Sequence, residues 1–186
     1  FIRPSKIKVV PNGVEERFGE GDPDLFRREF GIKEDFILCV GRVGPLKNQL
    51  SLIRALSSLP FKIVLCGPIT EEEYWQKCVR EGGTKLIHIP FIPHDSPLMP
   101  SLYAAARVFV LPSLYDVAPF SALEAGASGT KLVLTREGGA KEYFENRAFY
   151  VNPLSLEDIR EKVLKAWEEG EQKDEALKNY ILSKFS

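Results

Sequence analysis

The sequence predicts an α/β protein of the doubly wound type, a parallel sheet with helices on both faces. Short β-branched apolar runs alternate with longer stretches of helical period, the pattern of successive βα units. The 186 residues fall within the roughly 100–200 of a single domain with a sizeable core. One domain spanning residues 1–186 is therefore expected, and no internal repeat or low-complexity tract interrupts it.

Strands are expected at Ile7–Val10, Phe36–Val40, Phe61–Leu65, Leu86–Ile89, Val108–Leu111, Leu132–Leu134 and Ala148–Val151. Helices lie between them, with legible starts. Asp22 before Pro23, and Ser96 before Pro97, each place a capping side chain ahead of a proline at the first helical position, where the missing N–H costs nothing. Pro119 is expected to open a helix in the same way. Leu50, Ile53 and Leu56 mark one apolar helix face, and Ser155 precedes another, Leu156, Ile159, Val163 and Trp167, whose spacing of three and four suits core packing. The charged stretch Glu168–Lys178 is either a solvated helix surface or a short connector.

The 25 basic and 26 acidic side chains nearly cancel, so composition gives no sign of a cationic nucleic-acid surface. No apolar run approaches the roughly 20 residues that span a bilayer. Cys39, Cys66 and Cys78 form neither an even set nor a metal-ligand cluster, and two of them sit inside apolar runs like small buried hydrophobes. They suit a reducing compartment, and a cytoplasmic location is expected. No signal peptide is seen, and a chain that starts at Phe1 rather than Met is expected to be a piece of a longer protein.

In open α/β sheets, ligands bind beyond the carboxyl ends of the strands. Two such segments concentrate chemistry. In Val40-Gly41-Arg42-Val43-Gly44-Pro45-Leu46-Lys47, a strand runs through two glycines towards a helix. Glycines permit close backbone approach, helix-start N–H groups attract anions, and Arg42 and Lys47 add two positive charges. A diphosphate fits this constellation, and so does an ordinary turn with two solvated cations. Neither Gly-x4-Gly-Lys-Ser/Thr nor Gly-x-Gly-x-x-Gly is present.

The second segment follows Val108–Leu111. A helix opened by Pro119 leaves the N–H groups of Phe120 and Ser121 for an anion. Asp116 lies in the loop before it, and Glu124 about one and a half turns in. Ionised carboxylates only accept hydrogen bonds, which suits ligand hydroxyls, although acids near a helix start are also favoured by its dipole. Glu124 interrupts the apolar run Phe120–Ala127, and an acid at a partly buried position needs a partner.

Taken together and in this order, these segments resemble the C-terminal, donor-binding domain of the retaining glycosyltransferases of family 4, of the GT-B fold. Ile7-Lys8-Val9-Val10-Pro11-Asn12-Gly13-Val14 is similar to the opening segment of that domain. Val40-Gly41-Arg42 with Lys47 is similar to Gly-Arg-x4-Lys, and Asp116 to Glu124 takes the place of Glu-x7-Glu. Leu123-Glu124-Ala125 with Gly129-Thr130, and Gly138-Gly139 with Glu142, continue the pattern.

The resemblance implies a Rossmann-like domain that binds a nucleoside diphosphate sugar and transfers a hexosyl group. It assigns catalytic roles to Arg42, Lys47 and Asp116. Arg42 and Lys47 would neutralise the diphosphate, where charge builds as the glycosidic bond breaks, so neither a metal nor a cofactor is expected. It assigns donor binding to Gly41, Gly44, Ile92, Pro119, Phe120, Ser121 and Glu124. Glu124 would hold the ribose, Asp116 would face sugar hydroxyls, and Ile92 would pack near the base.

It further implies that an acceptor sugar, lipid or glycan is met by an N-terminal domain outside this chain, that a final helix follows, and that peripheral membrane contact would come through the absent domain. The fragment alone would bind donor and transfer nothing. Asp116-Val117-Ala118-Pro119 departs from the usual Glu-Gly-Phe-Gly: aspartate is shorter by one methylene, about 1.5 Å, and backbone freedom is lost. Gly129-Thr130-Lys131 replaces Gly-x-Pro, losing a rigid turn and adding a charge. The change at Asp116 is the feature that favours a second reading, an inactive sugar-nucleotide sensor or partner subunit. A phosphorylase or epimerase of the same fold ranks below both, because nothing resembles a cofactor lysine site.

Overall fold

The computed structural model describes Lys8 and residues 10–186. Its sheet has six strands, β1 (Phe36–Val40), β2 (Lys62–Cys66), β3 (Leu86–Ile89), β4 (Val108–Leu111), β5 (Lys131–Thr135) and β6 (Phe149–Val151), in the order β3-β2-β1-β4-β5-β6. All pairings are parallel. The strand expected at Ile7–Val10 rests on residues outside the described set.

Every residue of β1 and β4 is buried. Helices cover both faces, so these strands read as continuous apolar runs rather than alternations. One face carries α2 (Gln49–Ala55), α3 (Glu72–Gly82) and α7 (Leu156–Glu168), and the other α1 (Pro23–Phe30), α4 (Leu98–Ala105), α5 (Phe120–Ala127) and α8 (Glu175–Phe185). The short α6 (Ala140–Phe144) sends Phe144 against Gly126 of α5. Cys39, Cys66 and Cys78 are buried and unpaired. Burial pushes the first two thiols up to about 12 and the third to about 11, which leaves them unreactive.

Asp22 caps α1 as expected, accepting from the Asp24 N–H at 2.9 Å, and Ser155 caps α7, accepting from that of Asp158 at 3.1 Å. The expected cap at Ser96 is displaced: Pro97 is the N-cap of α4 rather than its first residue, and Ser96 accepts from the Leu98 N–H at 3.2 Å one position ahead of it.

Several expectations shift. β5 runs one residue further at each end than Leu132–Leu134, and β6 begins at Phe149 rather than Ala148. β2 starts at Lys62 rather than Phe61, whose ring instead stacks on Trp167 at 4.1 Å between centroids. In α7 the buried residues are Ile159, Val163 and Ala166. Leu156, in the overhanging first turn, is exposed, and Trp167 is half-buried beneath the Arg107 guanidinium. Pro119 is the N-cap of α5, in extended conformation (φ −77°, ψ 91°), rather than its first helical residue.

The chain runs outward from β1 through β2 to β3 and returns on the other side as β4. The loops that follow β1 and β4 therefore diverge at the switch point, where open sheets of this class form their ligand crevice.

Candidate functional site

The loop after β1 is shaped from within. Gly41 has φ +151°, and the aliphatic chain of Lys47 lies over it. Asn48 takes the left-handed conformation (φ 58°), which asparagine tolerates better than most residues. Its buried Nδ2 donates to the carbonyls of Pro112 (3.1 Å) and Pro153 (2.8 Å), tying the β1 loop to those after β4 and β6. Buried Gln49 donates to the Arg42 carbonyl at 2.9 Å and accepts from the Gly44 N–H at 3.3 Å. Sequence reasoning missed both residues. The signal for Asn48 was an asparagine directly ahead of an apolar helical period.

Across the switch point, Lys47 Nζ meets Asp116 Oδ2 at 2.6 Å, with side chains 24% and 10% exposed. Ser113 Oγ donates to the same oxygen at 3.2 Å, and the Leu114 N–H to the Leu46 carbonyl at 2.9 Å. Asp116 is also held by its backbone: its N–H donates to the Glu137 carbonyl at 3.1 Å, and its carbonyl accepts from the Gly139 N–H at 2.9 Å. A Cβ on Gly138 would fall 2.0 Å from that Asp116 carbonyl oxygen, and one on Gly139 2.1 Å from the Val117 oxygen. The close approach lost from residues 117–119 is thus supplied by the facing glycines.

The second cation, Arg42, is exposed and makes no ion pair among the described residues. Together with Gly44, Lys47, Thr70 and Glu71 it lines a cavity of about 190 Å³. At the start of α5, the Pro119 carbonyl accepts from the N–H groups of Ala122 (3.0 Å) and Leu123 (3.1 Å). The N–H groups of Phe120 and Ser121 find no acceptor among the described residues, as helix geometry requires of a first turn.

Glu124, 12% exposed, has the partner its position calls for. Tyr103 Oη donates to Oε2, and His94 Nε2 lies 3.0 Å from Oε1. Burial and the adjacent carboxylate hold the Tyr103 phenol well above its ordinary value, so it stays a donor. The Tyr103 carbonyl in turn accepts from Thr130 Oγ1 at 2.7 Å and Lys173 Nζ at 3.2 Å. Lys131 Nζ holds the connector between α7 and α8 through the Gly170 and Gln172 carbonyls. The Thr130-Lys131 departure therefore serves the fold at the far ends of the strands.

Glu124 and Phe120 line a larger cavity, about 610 Å³, with Gly13, Val14, Phe18 and His94. Gly13 and Val14 are seated by α8, the Val14 N–H donating to the Phe185 carbonyl at 2.8 Å. Ile92 does not line this cavity. It is buried in the core, and His94 is the residue of its loop that reaches the site. Sequence reasoning missed Tyr103 and His94. Among the described residues, no group of three or more His, Cys, Asp or Glu side chains is arranged to hold a metal, and no helix is long and apolar enough to cross a membrane.

The sequence model of the Glycosyl transferases group 1 family matches residues 22–183. This chain belongs to that family. An uncharacterized glycosyltransferase of Methanocaldococcus jannaschii is 30% identical over 201 residues, which cover 97% of this chain and 50% of that protein. Other curated relatives are covered over smaller shares, 36% for a D-inositol 3-phosphate glycosyltransferase of Kribbella flavida, so the chain spans half or less of the length of the relatives it matches here.

Among solved structures, Anabaena HepE in complex with UDP and glucose superposes with a TM-score of 0.82 at 22% identity, over 99% of this chain and 54% of HepE. The C-terminal domain of a group 1 family protein from Francisella tularensis gives 0.74 at 22% identity, over 94% of this chain and 99% of that one. The fold of this chain is thus the Rossmann-like half of the GT-B architecture.

Proposed function

We propose that this group 1 domain holds a nucleoside diphosphate sugar at the switch point, as the donor half of a retaining, metal-independent hexosyltransferase. The observation that carries the reading is the Lys47–Asp116 contact at 2.6 Å, which brings a phosphate-type cation and a hydroxyl-type acceptor together across the crevice. Arg42 and Lys47 bind the diphosphate, with the free Phe120 and Ser121 N–H groups beside Pro119 as further donors. Gly41 and Gly44 give the phosphates access to the loop backbone.

Glu124, oriented by Tyr103, accepts from the ribose hydroxyls on the wall of the larger cavity. The Ile92 loop lies towards the base through His94. Asp116 accepts from hydroxyls of the sugar. As the glycosidic bond breaks, charge gathers on the diphosphate, and preorganised cations and N–H groups stabilise it most in the transition state. These two cations supply the positive charge the step demands, so the reading calls on neither metal nor cofactor. The acceptor sugar, lipid or glycan is met by parts of the enzyme beyond this chain.

The test is release of nucleoside diphosphate by the complete gene product from UDP-glucose, GDP-mannose and ADP-glucose, with and without acceptor sugars. The reading expects turnover of one donor, and a loss of about a hundredfold or more in kcat/KM for Arg42→Ala and for Lys47→Ala, the cost of one transition-state donor being about 2.7–4 kcal/mol. Nucleotide binding with no turnover of any donor would instead favour a sugar-nucleotide sensor. The feature behind that second reading is Asp116 itself, one methylene shorter than the usual Glu.

A further inference from the structure

Asp116 is a fixed carboxylate, and its partner is a flexible side chain. The Asp116 backbone is held between the Glu137 carbonyl and the Gly139 N–H, with two glycines packed closely against its loop. Lys47 reaches it by four rotatable bonds that lie over Gly41. An anion that enters the crevice competes with this carboxylate for Lys47 Nζ.

Resting on the donor-site reading above, we propose that Asp116 is a resident anion that discriminates between the complete sugar nucleotide and the bare nucleoside diphosphate. When Lys47 moves to the diphosphate, Asp116 keeps only Ser113 Oγ as a donor. A sugar nucleotide brings hydroxyls that replace the lost ammonium. A bare diphosphate brings none. It also carries extra charge, because its terminal phosphate, attached only through the anhydride, loses a second proton at about pH 6, whereas in the sugar conjugate that phosphate is esterified to the sugar and has no second proton to lose. The carboxylate is then both underpartnered and repelled, so it favours entry of the intact donor and departure of the spent nucleotide. In this role the shorter Asp, pinned by its backbone, holds the negative charge at one point of the crevice.

The experiment titrates UDP, GDP and ADP, and the glucose conjugate of whichever binds, into the 186-residue chain and into Asp116→Asn and Ser113→Ala. Asp116→Asn keeps the size and removes the charge. It is expected to bind the bare nucleotide about tenfold more tightly, the lower end of what a like charge within ~4–6 Å exerts, and to shift the ratio of conjugate to bare affinity towards the bare nucleotide. Ser113→Ala keeps the charge and removes that remaining donor, so it should shift the ratio the opposite way, towards the conjugate. Wild-type binding with a bare-nucleotide affinity in Asp116→Asn equal to or weaker than wild type overturns this inference and leaves the donor-site reading standing. Absence of nucleotide binding by the wild-type chain overturns the donor-site reading itself.

Discussion

Replacing Gly138 with alanine isolates the device that places Asp116. Gly138 has φ +112°, a conformation that L side chains rarely adopt, and a Cβ there would lie 2.0 Å from the Asp116 carbonyl oxygen. Relief needs a backbone displacement of more than about 1 Å, since carbon contacts settle near 3.5–4.0 Å. The two backbone hydrogen bonds that bracket Asp116, at 3.1 and 2.9 Å, would open. Backbone strain of order 1–3 kcal/mol and two hydrogen bonds at about 1 kcal/mol each give about 3 kcal/mol or more.

For a domain of this size that is a fall of roughly 6–12 °C in Tm, read by a thermal melt, together with loss of the Lys47–Asp116 contact. Gly31→Ala is the control. Gly31 also has positive φ (+65°), with nothing within 4 Å of a Cβ, so only about 1–2 kcal/mol of left-handed strain applies. A Gly138→Ala protein that melts within about 2 °C of wild type, or no lower than Gly31→Ala, would refute the reasoning.

Asn48→Ala removes the donor of two buried carbonyls and leaves alanine in a left-handed conformation; a loss of about 2–4 kcal/mol is expected in urea unfolding, and a change below about 1 kcal/mol would contradict the stitching role. Glu124→Gln keeps the size but replaces an acceptor for the Tyr103 hydroxyl and the ribose by an amide, so nucleotide affinity should fall about tenfold by calorimetry, with each hydrogen bond to a charged group counting about 1.5–3 kcal/mol; unchanged affinity would remove Glu124 from the site.

Lys173 gives a pH dependence. Burial, with Lys131 and Arg27 nearby, pulls its amine down to about 7. From there to the ordinary lysine value the unfolded chain holds more protons than the folded one, so stability rises with pH across that window and falls as pH drops towards 7. Lys173→Met should flatten this slope between about pH 6.5 and about pH 9 in urea unfolding, and identical slopes would contradict it.

The strands Phe36–Val40, Leu86–Ile89 and Val108–Leu111 have the same bounds in the structure. For the first and last, buried throughout, this is because a strand buried on both faces is a continuous apolar run, whereas Leu86–Ile89 is a half-buried edge strand. β2 is displaced by one residue for a reason no local pattern carries: Phe61 has a better use against Trp167, more than 100 residues away in sequence. In the site, the need of Glu124 for a partner was legible from its place in an apolar helix. The partner was not, since Tyr103 and His94 come from α4 and the loop before it. A tyrosine within the buried face of α4 was the available clue, because a buried phenol seeks an acceptor. Lys47 and Asp116 were each legible as charged loop residues, but their contact joins two loops brought together only by the strand order. Lys173 was hidden in a charged stretch that resembles a solvated surface, and only tertiary packing buries it.

The central claim, that the crevice between the β1 and β4 loops binds the diphosphate of a nucleotide, is tested most directly by calorimetric titration of UDP, GDP and ADP into the 186-residue chain and its Lys47→Ala variant. The account predicts that at least one nucleotide binds the wild-type chain and that Lys47→Ala weakens it by about tenfold or more, a charge-assisted hydrogen bond being worth about 1.5–3 kcal/mol. Absence of binding at about 1 mM nucleotide, where an affinity of about −4 kcal/mol would still register, or equal affinity in the two proteins, would contradict it.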